Sequence, residues 1–147
     1  MAEFLYYNPN PSQRYRKDGS PIKSDHNGDC TVRCITKALD IDWEEAYKKL
    51  CDEGLKQHRM PDDMDVVKAV LEANGFEKGV INQDFIKRNH HRPTVEIMVN
   101  GISKVEGVKD KKKFVFQTTH HITTVDDGVI FDTWDTSEEC VWAFWYK

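Results

Sequence analysis

The chain has no apolar run near the roughly 20 residues that a membrane-crossing helix requires, so no membrane partner is expected. Its first residues, 1–16, are polar and aromatic rather than basic and then apolar, which does not read as a secretory leader. Cysteine is sparse. Four in 147 residues are too few for a secreted disulfide scaffold. Cys30 and Cys34 would stand one helical turn apart, a geometry that does not favour a disulfide. Free thiols and a reducing, cytoplasmic compartment are therefore expected. A basic surplus is also missing. The net charge of −4 argues against a general electrostatic grip on nucleic acid. The short run Lys109 to Lys113 contains Asp110 and reads as a solvated loop. There is no internal repeat and no low-complexity segment, and the length suits one domain with one real core.

What is present is organised around Asn27-Gly28-Asp29-Cys30 and the stretch that follows. Asn and Gly supply the left-handed backbone of a turn. Val32, Ile35 and Leu39 then recur at helical spacing and predict a helix from Cys30 to about Leu39. A cysteine at a helix start faces unpaired N–H groups and the positive end of the dipole, which favour its thiolate. The thiolate is the nucleophilic form. The competing reading of Cys30 is a buried structural cysteine.

Along the chain, residues 1–26 hold Pro9, Pro11 and Pro21 and read as an extended arm, with Phe4, Tyr6, Tyr7 and Tyr15 to pack it on the body. Residues 27–101 read as mainly helical. Asp42 with Glu45 forms a capping box before Trp43, Ala46, Tyr47 and Leu50, and Gly54 is the expected stop. Pro61-Asp62-Asp63 opens a third helix with Met64, Val67, Val70 and Leu71 inward, ended by Asn74-Gly75. Asp84 to Arg88 suggests a short helical turn. Thr94 caps another helix, stopped near Asn100-Gly101. Residues 113–147 change character. Phe114 to Phe116, Ile122 to Val125, Val129 to Phe131 and Val141 to Tyr146 read as strands. Helices first and strands after predict an α+β domain, with an antiparallel sheet packed on the leading helices.

Asp127-Gly128 is a strong two-residue hairpin signal. It sets the register: Asp126 opposite Val129, Val125 opposite Ile130, Thr124 opposite Phe131, Thr123 opposite Asp132. Side chains alternate along a strand, so His121, Thr123, Val125, Ile130, Asp132 and Trp134 share one face. Asp132 is then a diagonal neighbour of His121, roughly 7–8 Å away between backbones, within reach of two polar side chains. Trp134 falls opposite His121 and would shield their hydrogen bond. A carboxylate on one ring nitrogen fixes the tautomer and leaves the other nitrogen to take a proton from a thiol. A three-residue loop would bring His120 to that face instead. The plain alternative is a surface hairpin with a polar tip.

Cys30 at a helix start, His121 on a strand and Asp132-Thr133-Trp134 on the next strand together resemble the papain-like cysteine peptidases, in particular small, uncharacterised phage and bacterial members. The resemblance implies a single papain-like domain over 1–147. It further implies Cys30 as nucleophile, His121 as base and acid, and Asp132 as orienting carboxylate. It implies attack on an amide or peptide carbonyl, a thioester intermediate and hydrolysis, with a protein or peptide as substrate and no cofactor. Where that family commonly carries an oxyanion-binding Gln, this chain has Ser24. Asn27 is the nearest amide side chain and the expected donor, with the Cys30 backbone N–H as the second.

Three alternatives stand beside this reading. A zinc site from Cys30, Cys34, His120 and His121 fits poorly, because adjacent strand histidines point to opposite faces and the spacing matches no common zinc module. A weak or inactive papain-like module could bind a protein partner through its aromatic arm and its Trp142 to Tyr146 end. The same three residues would also serve an amidase, isopeptidase or acyltransferase, since fold does not set the bond that is cleaved.

Overall fold

The computed structural model describes residues 2–23, 28–102 and 107–147. Within these the order is β1 (Glu3–Tyr6), α1 (Cys30–Leu39), α2 (Trp43–Gln57), α3 (Met64–Ala73), β2 (Glu77–Lys78), α4 (Gln83–Asn89), α5 (Val95–Gly101), β3 (Lys113–Thr118), β4 (His121–Asp126), β5 (Val129–Asp132) and β6 (Ala143–Tyr146). The architecture is mixed α+β. The six strands form one sheet in the order β1-β5-β4-β3-β6-β2.

The helix starts follow local chemistry. The Asp42 carboxylate accepts from the Glu45 N–H at 2.8 Å, and the Thr94 hydroxyl accepts from the Ile97 N–H at 3.2 Å. Asp63 does the same for Asp65 at the start of α3. One expected stop is misplaced. Helix α2 runs through Gly54 to Gln57 and ends at His58 in a left-handed conformation. Gly54 instead gives space: a Cβ there would lie 2.7 Å from the Arg59 carbonyl oxygen, so the returning chain needs a glycine at that turn of the helix.

The β4–β5 hairpin has the expected register, with Thr124 opposite Phe131, Val125 opposite Ile130 and Asp126 opposite Val129. Asp127 and Gly128 both have positive φ, as a two-residue turn of this hand requires. The sheet is not wholly antiparallel, which corrects the expectation. The N-terminal arm supplies β1, paired parallel to β5 from Glu3 opposite Val129 to Tyr6 opposite Asp132. Parallel pairing needs a long crossover, and a short polar-aromatic segment carries no local signal for it.

Alternation in the strands feeds two cores, one on each side of the sheet. Val115 and Ile122 join Val32, Ile35, Leu50, Val67 and Leu71 beneath α1, α2 and α3. Phe114, Phe116, Val125 and Ile130 face the other way and pack with Val95, Val141 and Phe144. Ile86, Met98 and Val99 from α4 and α5 complete that side, so helices cover both faces rather than one. Helix α1 is the central element. Thr31 to Thr36 are all buried, Arg33 among them. Its N-terminus meets the open ends of β4 and β5.

Candidate active site

Cys30 is the first residue of α1 and is only partly buried. The preceding residue, Asp29, does not cap the helix with its side chain. That carboxylate is buried and bound elsewhere. It pairs with Arg33 one turn on, and it accepts from Asn10 Nδ2 and Trp43 Nε1, each at 2.9 Å. The turn into the helix is thereby fixed from three sides, and Cys30 is left at the surface of a cleft.

His121 opens β4. Its Nε2 lies 2.7 Å from Asp132 Oδ2, and both side chains are largely shielded from water. The Cys30 thiol is close enough to the same ring to favour its protonated form. With Nε2 committed to the carboxylate, Nδ1 is the nitrogen free for the sulfur. Burial works against a charged ring here. The Asp132 hydrogen bond, the Cys30 contact and the charges of both outweigh it, and lift His121 from 6.5 to about 9. Asp132 shows the complementary effect. Burial pushes its carboxyl up, but the hydrogen bond and charge of His121, the Thr123 hydroxyl and the Thr133 N–H hold it below the usual 3.8.

The expected site residues are distributed as follows. Cys30, His121 and Asp132 come together. Trp134 lies beyond the end of β5 rather than in the strand ladder. Its ring still sits 5.1 Å from that of His121 and covers it on one side. Asn27 lies outside the described residues. His120 is exposed in the β3–β4 turn, with φ of 58°, and does not share the Asp132 hydrogen bond. Asp135 accepts from the Ser137 N–H in a turn. Cys34, one turn beyond Cys30, is fully buried. Burial pushes its thiol to about 12 against a hydrogen bond from Thr124, whose hydroxyl lies 3.0 Å from the sulfur. Among the described residues no group of three or more His, Cys, Asp or Glu is arranged to hold a metal, which leaves the zinc alternative without a ligand set.

Two depressions meet at Cys30 and His121. The larger, of about 610 Å³, has Trp134 and Thr133 on one wall and the N-terminal arm on the other, through Tyr6, Asn8, Gln13, Ile22 and Lys23. The smaller, of about 310 Å³, continues past Cys30 toward Asp62, Met64 and Gln117. The arm is therefore a wall of the larger depression.

Sequence reasoning missed Arg33 here. Arg33 is buried and joins Asp29 to Asp132: its terminal nitrogens reach Asp29 Oδ1, and Asp132 Oδ1 at 3.3 Å. A charged residue on a helix reads as surface, and the only available signal was the i, i+4 spacing of Asp29 and Arg33. Comparison of the chain with protein-family models, with curated proteins and with solved structures finds no match in any of the three.

Proposed function

We propose that the protein is a papain-like thiol hydrolase that cleaves an amide or peptide bond through Cys30, His121 and Asp132. The observation that carries this reading is the His121 ring, held by Asp132 on Nε2 and in reach of the Cys30 thiol, at the junction of two depressions. A ring poised near or above neutral pH suits a base that must take the thiol proton.

In this mechanism the Cys30 thiol passes its proton to Nδ1, and Asp132 stabilises the imidazolium. The thiolate sulfur attacks the carbonyl carbon. The oxyanion that forms is met by N–H groups at the start of α1, which have no acceptor within the helix, the Cys30 N–H among them. Asn27 is the proposed side-chain donor. Collapse of the tetrahedral species breaks the C–N bond. Imidazolium gives its proton to the departing amine, leaving a thioester on Cys30. Water then attacks the thioester with His121 as base, releasing the acid and restoring the thiol. The two depressions suit an extended chain with segments on both sides of the cleaved bond. Trp134 covers one side of the ring and limits water around the Asp132 bond.

The test is limited alkylation with iodoacetamide near pH 6. One thiol, Cys30, is expected to react far faster than Cys34, Cys51 and Cys140. Slow, equal labelling of all exposed thiols would overturn the reading and favour a module that only binds a partner. Profiling with peptide, ubiquitin-like and peptidoglycan amides then identifies the bond. It separates a peptidase from an amidase, isopeptidase or acyltransferase, because the same three residues serve all four.

A further inference from the structure

We infer that Arg33 is a positioning residue of this centre: by bridging Asp29 and Asp132 it keeps Asp132 ionised, with one oxygen turned to His121. The inference rests on the thiol-hydrolase reading above and extends it to a residue that acts through Asp132.

The two oxygens of Asp132 have separate tasks. Oδ2 bonds His121 Nε2 at 2.7 Å. Oδ1 takes the Thr133 N–H at 2.7 Å and Arg33 Nη2 at 3.3 Å. Arg33 Nη2 also lies 3.5 Å from Thr133 Oγ1, and Nη1 pairs with Asp29. The planar fork of a guanidinium can serve two carboxylates at once, which a single ammonium does less well. Both carboxylates are buried, at 7% and 3% exposure. Without the guanidinium between them, Asp132 would stand beside a second buried carboxylate, and a like charge disfavours its ionised form. A proton on Asp132 would strip His121 of its ion partner.

Arg33 is itself an expensive group to bury. Its side chain is only 10% exposed, and its Nε has no partner among the described residues. Well-packed apolar residues often replace such buried ion networks without loss of stability. The feature that an apolar residue could not reproduce is a fixed positive charge between the helix start and the orienting carboxylate. Along this line the formal charges alternate, from Asp29 to Arg33, Asp132 and His121 as imidazolium.

Among the described residues the groups that face this line are few. Cys34 lies beneath it on α1, uncharged at neutral pH. His120 stands at the β3–β4 turn, and Lys23 on the arm, both on the rim of the larger depression. On β1, the strand beside β5, Tyr6 donates its hydroxyl to Gln13. Tyr7 donates its backbone N–H to the Asp132 carbonyl at 2.8 Å, and its phenol is raised to about 12 and stays neutral.

The experiment uses the full chain and two variants, Arg33→Gln and Arg33→Lys. Two readouts are taken, the His121 titration midpoint by NMR and the rate of Cys30 alkylation by iodoacetamide at pH 6. Arg33→Gln keeps a hydrogen-bond donor and loses the charge. Its His121 midpoint is expected to fall by about one pH unit, tenfold in the ratio of protonation states, with slower alkylation. Arg33→Lys keeps the charge and loses the fork, so an intermediate loss of about threefold is expected. A folded Arg33→Gln protein with unchanged midpoint and rate overturns the inference. So does an upward midpoint, which would mean that Arg33 acts on the imidazolium only as a like charge. If Arg33→Gln does not fold, Arg33→Lys decides: a wild-type midpoint and rate overturn the inference, and the intermediate loss upholds it. The NMR midpoint does not depend on Cys30 reactivity. Wild-type protein without a fast thiol would sink the hydrolase reading alone, and a midpoint insensitive to Arg33 would sink this one alone.

Discussion

Helix α1 carries a charged cluster against the β4–β5 hairpin at each of its ends, and the two clusters differ mainly in burial. At the N-terminal end Asp29 and Arg33 meet Asp132 and His121 at the open side of the hairpin. One turn beyond Arg33, Lys37 approaches Asp126 beside the hairpin tip at 3.4 Å, and Lys113 joins Asp126 at 3.2 Å and Asp40 at 2.9 Å. The residue types are alike and so is the i, i+4 step along one helix face. At the tip, Asp126 is 24% and Asp40 67% exposed, whereas Asp132 at the other end is 3% exposed. Water reaches the tip cluster and leaves ordinary ion pairs worth little. Its exclusion from the buried cluster makes each charge depend on the next, which is how burial turns an ion-pair network into a group with displaced protonation. The lesson is that composition does not distinguish a structural cluster from a candidate catalytic one, while access to water does.

The sharpest break in the comparison comes from removing the sulfur. Cys30→Ser is expected to abolish fast alkylation and any amide cleavage while leaving the circular dichroism unchanged, because only one atom changes, at a partly exposed position. The slow labelling of Cys51 and Cys140 should persist. Turnover at the wild-type rate in this variant would end the enzyme proposal. Asp132→Asn comes next. It removes the carboxylate that holds His121 at about 9, so the ring should fall to 6.5 or below. Alkylation is then expected to slow most above about pH 6.5, where the ring is neutral in the variant and still imidazolium in the wild type. The measurement is a pH–rate profile of the modified thiol, and an unshifted profile would count against the role of Asp132.

How much of this was open to sequence reading depends on whether each contact is local. The hairpin was legible because Asp127-Gly128 fixes the register, and register alone brings His121 and Asp132 to one face. Cys30 was legible because a turn followed by helical periodicity places it at a helix start. The parallel strand Glu3–Tyr6 was not, since its partner lies more than a hundred residues away and nothing in the segment names it. Arg33 was missed for the same reason: its second carboxylate, Asp132, is supplied by a distant strand. Gly54 misled in the other direction. A glycine late in a helix reads as a stop, but there the close return of Arg59 explains it.

Stability should report the buried cluster through pH. His121 is raised in the folded state, from 6.5 to about 9. Its contribution is therefore complete below about 6.5 and lost as pH rises through about 9. Asp132 is lowered, so its contribution is present above 3.8 and lost as pH falls through its folded value. Urea unfolding across this range is expected to show a decline of about 3 kcal/mol at most on the alkaline side, an upper bound shared by the coupled residues. In Asp132→Asn that alkaline decline should flatten. A decline of equal depth in both proteins would mean that another group produces it.

The less buried cluster provides the smallest effect and the control. In Asp126→Asn, Lys113 keeps Asp40 at 2.9 Å and the Lys37 carbonyl at 2.7 Å. Lys37 keeps the face of Phe131, 4.0 Å from its ammonium. Neither lysine is orphaned, and both are partly hydrated, so the expected cost is about 0.5 kcal/mol and under 1 kcal/mol. Salt should shrink it further, because screening acts on exposed pairs first. Alkylation of Cys30 should not change. A cost of several kcal/mol, or a slower Cys30, would mean that the two ends of α1 are coupled through the helix. The contrast between a screened cluster and a buried one would then fail, since the tip would be acting on the site rather than merely resembling it.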